Sequence, residues 1–486
     1  MQRVQFAPLL AFVLASIPAP AAANGQSTHL WITDDARSHV PPGALADFLA
    51  DPAIDKMLRN GTMFPDGGYP LNDPYAEIAH WEPFQTTYLD WIRANYDPPY
   101  TGEAAEHLAF FLGMASHGMA DQTFDSLYGE RVKLYDGAIG DFDTASDIIM
   151  MSHFEPMNAP SDWVPYSVFD QLYDTVGYDV DPEVMMDGQN LLRIAVNSVA
   201  IFSQMPDQVA ESSAPFPWGS QHMLDEDVPG APPCEGEVVA RYWRALWAIA
   251  HDQVLPGPVL QTIPADGAAN HAIDSTSIES WVSVVFSRGL ETGPLDASSF
   301  HVVSMGGTEV PITIWHYYGQ DAHIVHLRPQ ADLEPDTIYT VTVDPGIETI
   351  HAEPLDGYSF RFSTGAVGPE PTVPEWPEDH DPNPDPGDGD GDPTGDGDGD
   401  PTGDPSGDGD GDPTGDPSGD GDGDPSGDSG ETGPGAEAEA SGCACSARTE
   451  PSGPLNLAAF GLVVGLTSIA RRRRGHSGAG RPDRRA

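Results

Sequence analysis

Between residues 24 and about 252, apolar positions recur at three- and four-residue steps. The stretches AAEHLAFFLGMASH, QNLLRIAVNSVAIF and GEVVARYWRALWAIAH each carry such a stripe, and loops rich in Pro and Gly separate them. This periodicity predicts a mainly α-helical domain over 24–252. After LPGPVLQTIPADGA the period falls to two. In SIESWVSVVFS, Ile278, Val282, Val284 and Phe286 fall on one side, and TIYTVTV and YSFRFST repeat the alternation. An antiparallel β-sandwich is therefore expected over 257–366. From 367 to 442 the repeat DGDGDPTGDPSGD offers almost no apolar residues to bury, which predicts a disordered, charge-expanded linker.

The two ends carry short apolar runs of another kind. MQRVQFAPLLAFVLASIPAPAAA has an early Arg3, an apolar run and a small-residue end, the pattern of an export signal cleaved after Ala23. Over 443–486, GCACS precedes PLNLAAFGLVVGLTSIA and then Arg471 to Arg474. An apolar run followed by a basic cluster predicts membrane anchoring or sorting, with the arginines inside. Cys234, Cys443 and Cys445 make no disulfide framework.

Charge changes the picture in one respect. The formal net charge is −55, and 24 acidic residues with no Lys or Arg lie between Glu370 and Glu439. The rest of the chain is acidic too, which argues against a basic groove and hence against a nucleic-acid partner. The Asp-rich repeats lack the twelfth-position Glu of a calcium-binding EF-hand loop.

Candidate chemistry concentrates in the helical half. In FFLGMASHGMADQTFDSLY, His117, Asp121 and Asp125 recur at steps of four and would form one polar column on an apolar helix. His29, Asp66 and His80 lie upstream, and Asp143 and Asp147, four apart, lie downstream. Imidazole and carboxylate are ligand types for zinc and related divalent ions. Trp31, Phe64, Trp81 and Phe84 flank these residues, and each reads equally as core packing or as the apolar mouth of a lipid site. There is no Gly-rich phosphate loop and no G-x-S-x-G elbow.

The stretches STH, FPDGGYP, HWEPF, WIRANY and GMASHGMADQTFDSLY give residues 24–155 a resemblance to the zinc-dependent phospholipase C superfamily. The similarity is closest to the catalytic domain of the glycosylphosphatidylinositol-specific phospholipases D. It implies a helical domain with a three-metal cluster. Asp66, His80, His117 and Asp121 would hold one ion. Asp121 would bridge to a second, bound by His29 and by the amine and carbonyl of Asn24 as the mature first residue. At the third position, where the family uses two histidines and a carboxylate, this chain offers Asp125, Asp143 and Asp147. That set suits Ca²⁺, Mg²⁺ or Mn²⁺ better than Zn²⁺. The resemblance further implies hydrolysis of a phosphodiester in phospholipid or glycosylated phosphatidylinositol, with Asp66 orienting or deprotonating the attacking water. The stretch LEPDTIYTVTV…FRFSTG resembles bacterial Ig-like modules, and the tail is similar to the sorting tails of myxobacterial surface proteins. The alternatives are a single-strand nuclease of the same superfamily and a degenerate metal domain carried by a surface adhesin.

Overall fold

The computed structural model describes residues 24–372, apart from 138, 139, 141, 256 and 318–320. The expected export signal, the linker beyond 372 and the sorting tail lie outside the described residues. A mainly helical region comes first and a two-sheet sandwich follows. The helices that build the site are α1 (Gln26–His39), α2 (Pro52–Met63), α3 (Glu82–Asn95), α4 (Glu103–Thr123), α5 (Phe142–Met151), α6 (Pro182–Phe202) and α7 (Pro232–Ala250). Local signals start several of them. Asp51 caps α2 by accepting from Ala53 N at 2.8 Å, and Pro52 stands at its first position.

α4 is the axis of the helical domain. Every residue from His107 to Thr123 is buried, so the polar members of this helix must find partners inside the protein. α2 crosses it at close range, because Gly61 and Gly113 face each other's helix. A Cβ on Gly61 would overlap the Phe110 carbonyl, and one on Gly113 the Leu58 carbonyl. The close approach places the last turn of α2 beside His117. Among the described residues no helix is long and apolar enough to cross a membrane.

The sandwich has a four-stranded sheet, β1 (Val259–Ile263), β2 (Val282–Leu290), β5 (Ala322–Pro329) and β4 (Ile312–His316), in that spatial order. Its second sheet orders β3 (Phe300–Ser304), β6 (Ile338–Val343) and β7 (Tyr358–Ser363), and all pairs are antiparallel. Val282, Val284 and Phe286 point into the sandwich core as the alternation predicts, but Ile278 belongs to a short 3-10 turn before the strand. β2 is buried along its whole length, on both faces. Its Val285, with Leu260 and Ile324, joins the core of the helical domain. One sheet thus lies between two apolar cores, and the sandwich packs broadly on the helices.

Candidate metal centre

Four side chains from three segments converge at the last turns of α4. Asp66 comes from a 3-10 segment (Phe64–Leu71), His80 from the end of a five-residue helix, and His117 and Asp121 from α4. His80 Nε2 lies 3.2 Å from Asp66 Oδ1 and 3.4 Å from Asp121 Oδ2. His117 Nε2 lies 3.5 Å and 3.3 Å from the same two oxygens, and the two Nε2 atoms are 3.1 Å apart.

Both imidazoles are oriented from behind. His80 Nδ1–H donates to Ala76 O and His117 Nδ1–H to Thr62 O, each at 2.7 Å. A neutral ring pinned in this way presents only a lone pair at Nε2. Two lone pairs facing each other at 3.1 Å, flanked by two carboxylates, require positive charge between them. A regular tetrahedron with edges of about 3.3 Å has its centre about 2.0 Å from each corner, the bond length of zinc to nitrogen or carboxylate oxygen. His80, His117 and Asp121 lie together as a ligand set for a zinc-sized divalent ion, with Asp66 3.2 Å and 3.5 Å from the same two imidazole nitrogens.

Without such an ion, protons supply the charge. Against burial, which lowers it, the carboxylates of Asp121 and Asp66 raise His80 to about 10 and His117 to about 9. Asp121 is held well below the usual carboxylate range, because His117 and His29 outweigh its burial. The two imidazoles keep protons that an unfolded chain releases near 6.5. Their stabilising contribution is complete below pH 6.5 and is lost as pH rises through 9 to 10. The metal-free chain is accordingly expected to lose melting temperature between pH 6.5 and 10, and saturating zinc should remove most of that slope. A metal-free chain whose melting temperature stays level across this window would contradict the arrangement.

The other predicted residues sit in graded relation to this group. His29 stacks on His117 with ring centroids 3.8 Å apart, and its Nε2 lies 3.0 Å from Asp121 Oδ1. Neither atom of that second pair has a hydrogen-bond partner although both are buried, so Asp121 presents one oxygen to each side. Asn24 is buried close by and its amide donates to Glu235 Oε2 at 2.7 Å. Gln26 donates to Asp66 Oδ2, which fixes that carboxylate's orientation.

The expected trio of Asp125, Asp143 and Asp147 fares differently. Asp147 holds the N-terminus of α1: Ser27 N donates to it at 3.0 Å, Thr28 N at 2.7 Å and the Thr28 hydroxyl at 2.8 Å. Gly25 offers no side chain to cap α1, so Asp147 serves from α5, and burial still pushes it up to about 6. Asp125 lies in a π-helical turn (Phe124–Gly129) that breaks the four-residue step from Asp121. Its Oδ2 accepts from the Tyr317 hydroxyl at 2.5 Å. Asp143 stands in the first turn of α5, and its charge acts on Asp125.

The aromatic expectations need correction. Phe64 and Phe84 are core residues: Phe64 packs edge-on to Phe110 and Phe169, and Phe84 stacks on Tyr173 at 4.3 Å. They lie next to the ligands in sequence but point into the core. Trp31 packs on Phe154 at 5.0 Å. Trp81 alone of the four stands by the site, its Nε1 donating to Glu77 at 2.9 Å. Glu77 also accepts from the Tyr69 hydroxyl, and the Tyr69 ring lies 5.3 Å from His80.

Sequence reasoning missed Gln26, Tyr69, Glu235 and Tyr317. Glu235 is fully buried, its Oε1 has no partner, and burial together with the charges of Asp121 and Asp125 pushes it well above the usual carboxylate range. It carried a signal, since Glu235, Val238, Val239 and Tyr242 share the buried face of α7.

Comparison with known proteins gives two separate similarities. Residues 254–364 match the bacterial Ig-like domain family. The chain is 35% identical over 94 residues to phosphatidylinositol-glycan-specific phospholipase D of Rattus norvegicus, which is 18% of this chain and 11% of that protein. It is 26% identical over 148 residues to the Dictyostelium discoideum phospholipase of the same name, 27% of this chain and 15% of that one. The chain thus matches between about a tenth and a seventh of these relatives' length. Among solved structures, the S-layer protein SbsC is similar at 10% identity and a TM-score of 0.19, over 69% of this chain and 46% of that one. A score so low carries no weight on fold or function.

Proposed function

We propose that the chain is an exported, envelope-associated hydrolase that uses divalent metal to cleave a phosphodiester in phospholipid or glycosylated phosphatidylinositol. One observation carries this reading: two backbone-pinned imidazoles face each other at 3.1 Å between the carboxylates of Asp66 and Asp121. The local similarity to phosphatidylinositol-glycan-specific phospholipases D supports the substrate class. Export and envelope attachment rest on the sequences of residues 1–23 and 443–486.

Asp66, His80, His117 and Asp121 would hold one zinc ion, and His29 with the second oxygen of Asp121 would contribute to another. Zinc so held supplies Lewis-acid polarisation of a phosphoryl oxygen and acidifies water. The chain's own residues do the remaining work. Thr62 O and Ala76 O hold His117 and His80 as Nδ1–H tautomers, so each Nε2 stays free to bind. Gln26 fixes Asp66, the most exposed of the four, which is placed to orient an attacking water. Tyr69 and Trp81 lie beside His80, Tyr317 lies beside Trp81, and all three supply apolar ring faces with anchored polar ends.

The test is turnover of mixed phospholipids and of a glycosylated phosphatidylinositol by the full zinc-loaded chain, with products identified by mass spectrometry. Phosphorylated or free head groups released in proportion to enzyme are the expected result. Cleavage of single-stranded DNA alone would make it a nuclease, and no cleavage of any phosphodiester would leave a metal-holding surface protein.

A further inference from the structure

The metal centre of the helical domain is not walled by that domain alone. Tyr317 follows β4 of the sandwich, and its hydroxyl donates to Asp125 Oδ2. Asp125 is 4% exposed, and its other oxygen, Oδ1, has no hydrogen-bond partner. One oxygen gripped from behind and the other left bare is the arrangement in which a carboxylate is offered to a cation. The charge of Asp121 acts on Asp125, and both act on Glu235, whose bare Oε1 is also buried.

The sandwich is fixed in register with the ligands themselves. Asp321 Oδ2 accepts from Glu82 N at 2.9 Å, and Glu82 is the second residue after His80. Gln122, the residue after Asp121, accepts from His323 N at 3.0 Å and donates to Asp321 Oδ1 at 3.4 Å. The Tyr317 ring lies 6.4 Å from Trp81, the residue after His80. These contacts from the sandwich land within two residues of His80 or Asp121, or on Asp125. Behind them Leu260, Val285 and Ile324 seal the sheet to the helical core.

We propose that the Ig-like sandwich is a working wall of the cation site, and that Tyr317 is the positioning residue of Asp125. This rests on the cation reading of the site, but not on its being a phosphodiesterase. A sandwich serving only as a spacer needs no hydroxyl aimed at a buried carboxylate of the neighbouring domain.

The experiment is a double-mutant cycle in the full chain with Tyr317→Phe, Asp125→Asn and both together. Zinc affinity is measured by chelator competition, the Co²⁺-loaded visible spectrum is recorded, and turnover is followed alongside. Tyr317→Phe is expected to weaken the more loosely held metal by roughly tenfold, the scale for a group that supports a ligand from behind. It should leave the tighter metal unchanged. The double variant should bind as Asp125→Asn does, because the hydroxyl then has no ligand to position. Loss of a donor to a buried carboxylate is destabilising. Should Tyr317→Phe fail to fold, Asp125→Asn alone is expected to weaken the more loosely held metal and spare the tighter one, and unchanged affinities in that variant would overturn the proposal. Unchanged affinities and an unchanged Co²⁺ spectrum in Tyr317→Phe would overturn the proposal, as would additive effects or a wild-type chain that binds a single metal. Zinc affinities that follow the hydroxyl in a chain cleaving no phosphodiester would uphold this inference and remove the proposed reaction.

Discussion

Replacing His117 by alanine is expected to abolish zinc retention and lower phosphodiester turnover by more than about a hundredfold, the upper effect of losing only a supporting partner of a ligand. His117 has the most demanding position in the group. Its Nε2 faces His80 at 3.1 Å, Asp121 at 3.3 Å and Asp66 at 3.5 Å, and its ring carries the stacked His29. Removing it takes away a ligand, the support of a second histidine and the counter-charge of buried Asp121 and half-buried Asp66 at once. The helical signal should survive, because α4 remains packed along its length. Metal analysis and circular dichroism of the purified variant check both parts. Undiminished zinc content would show that the four side chains do not hold a common ion.

The second large effect lies at the boundary between the domains. Glu82, buried at the start of α3, receives Arg288 Nε at 2.8 Å and Gly289 N at 2.5 Å from the sandwich. His351 Nε2 lies 3.0 Å from the same carboxylate and His323 Nε2 3.1 Å. Against burial, the carboxylates of Asp321 and Glu82 raise His323 to about 10, so it is charged at neutral pH. Glu82→Ala leaves buried cations and a backbone N–H without their acceptor, which destabilises by about 3–5 kcal/mol. Glu82→Gln keeps an acceptor without the charge and should fall between the variant and the parent. Urea unfolding is the measurement, and a loss below about 1 kcal/mol in Glu82→Ala would show that the ion cluster does not clamp the domains.

Sequence made the column on α4 legible for a physical reason. Side chains four apart on one helix meet whatever the tertiary fold, so His117 and Asp121 had to be neighbours. The same rule failed one turn later, because the π-helical turn from Phe124 to Gly129 widens the step and hands Asp125 to Tyr317. Asp143 and Asp147 read as ligands by spacing, but nothing in spacing shows that α1 begins at Gly25 without a cap of its own and draws Asp147 into that role. Adjacency misled in the same way for Phe64 and Phe84. Phe64 stands two residues before Asp66, and the extended Trp81 separates Phe84 from His80, so both rings point into the core. Alternation revealed the strands of the sandwich. That one sheet would bury its second face on the helical domain was visible only in Val285 and Ile324, apolar residues at positions where a free sheet would be polar.

The most direct measurement is zinc K-edge X-ray absorption of the full chain loaded with about one equivalent of zinc, with the content verified by mass spectrometry. The arrangement of His80, His117, Asp66 and Asp121 predicts a shell of nitrogen and oxygen only, at about 2.0–2.1 Å, with outer-shell scattering from at least two imidazoles and no sulfur. A chain that retains no zinc after removal of excess metal, or a zinc shell without imidazole scattering, would contradict the account.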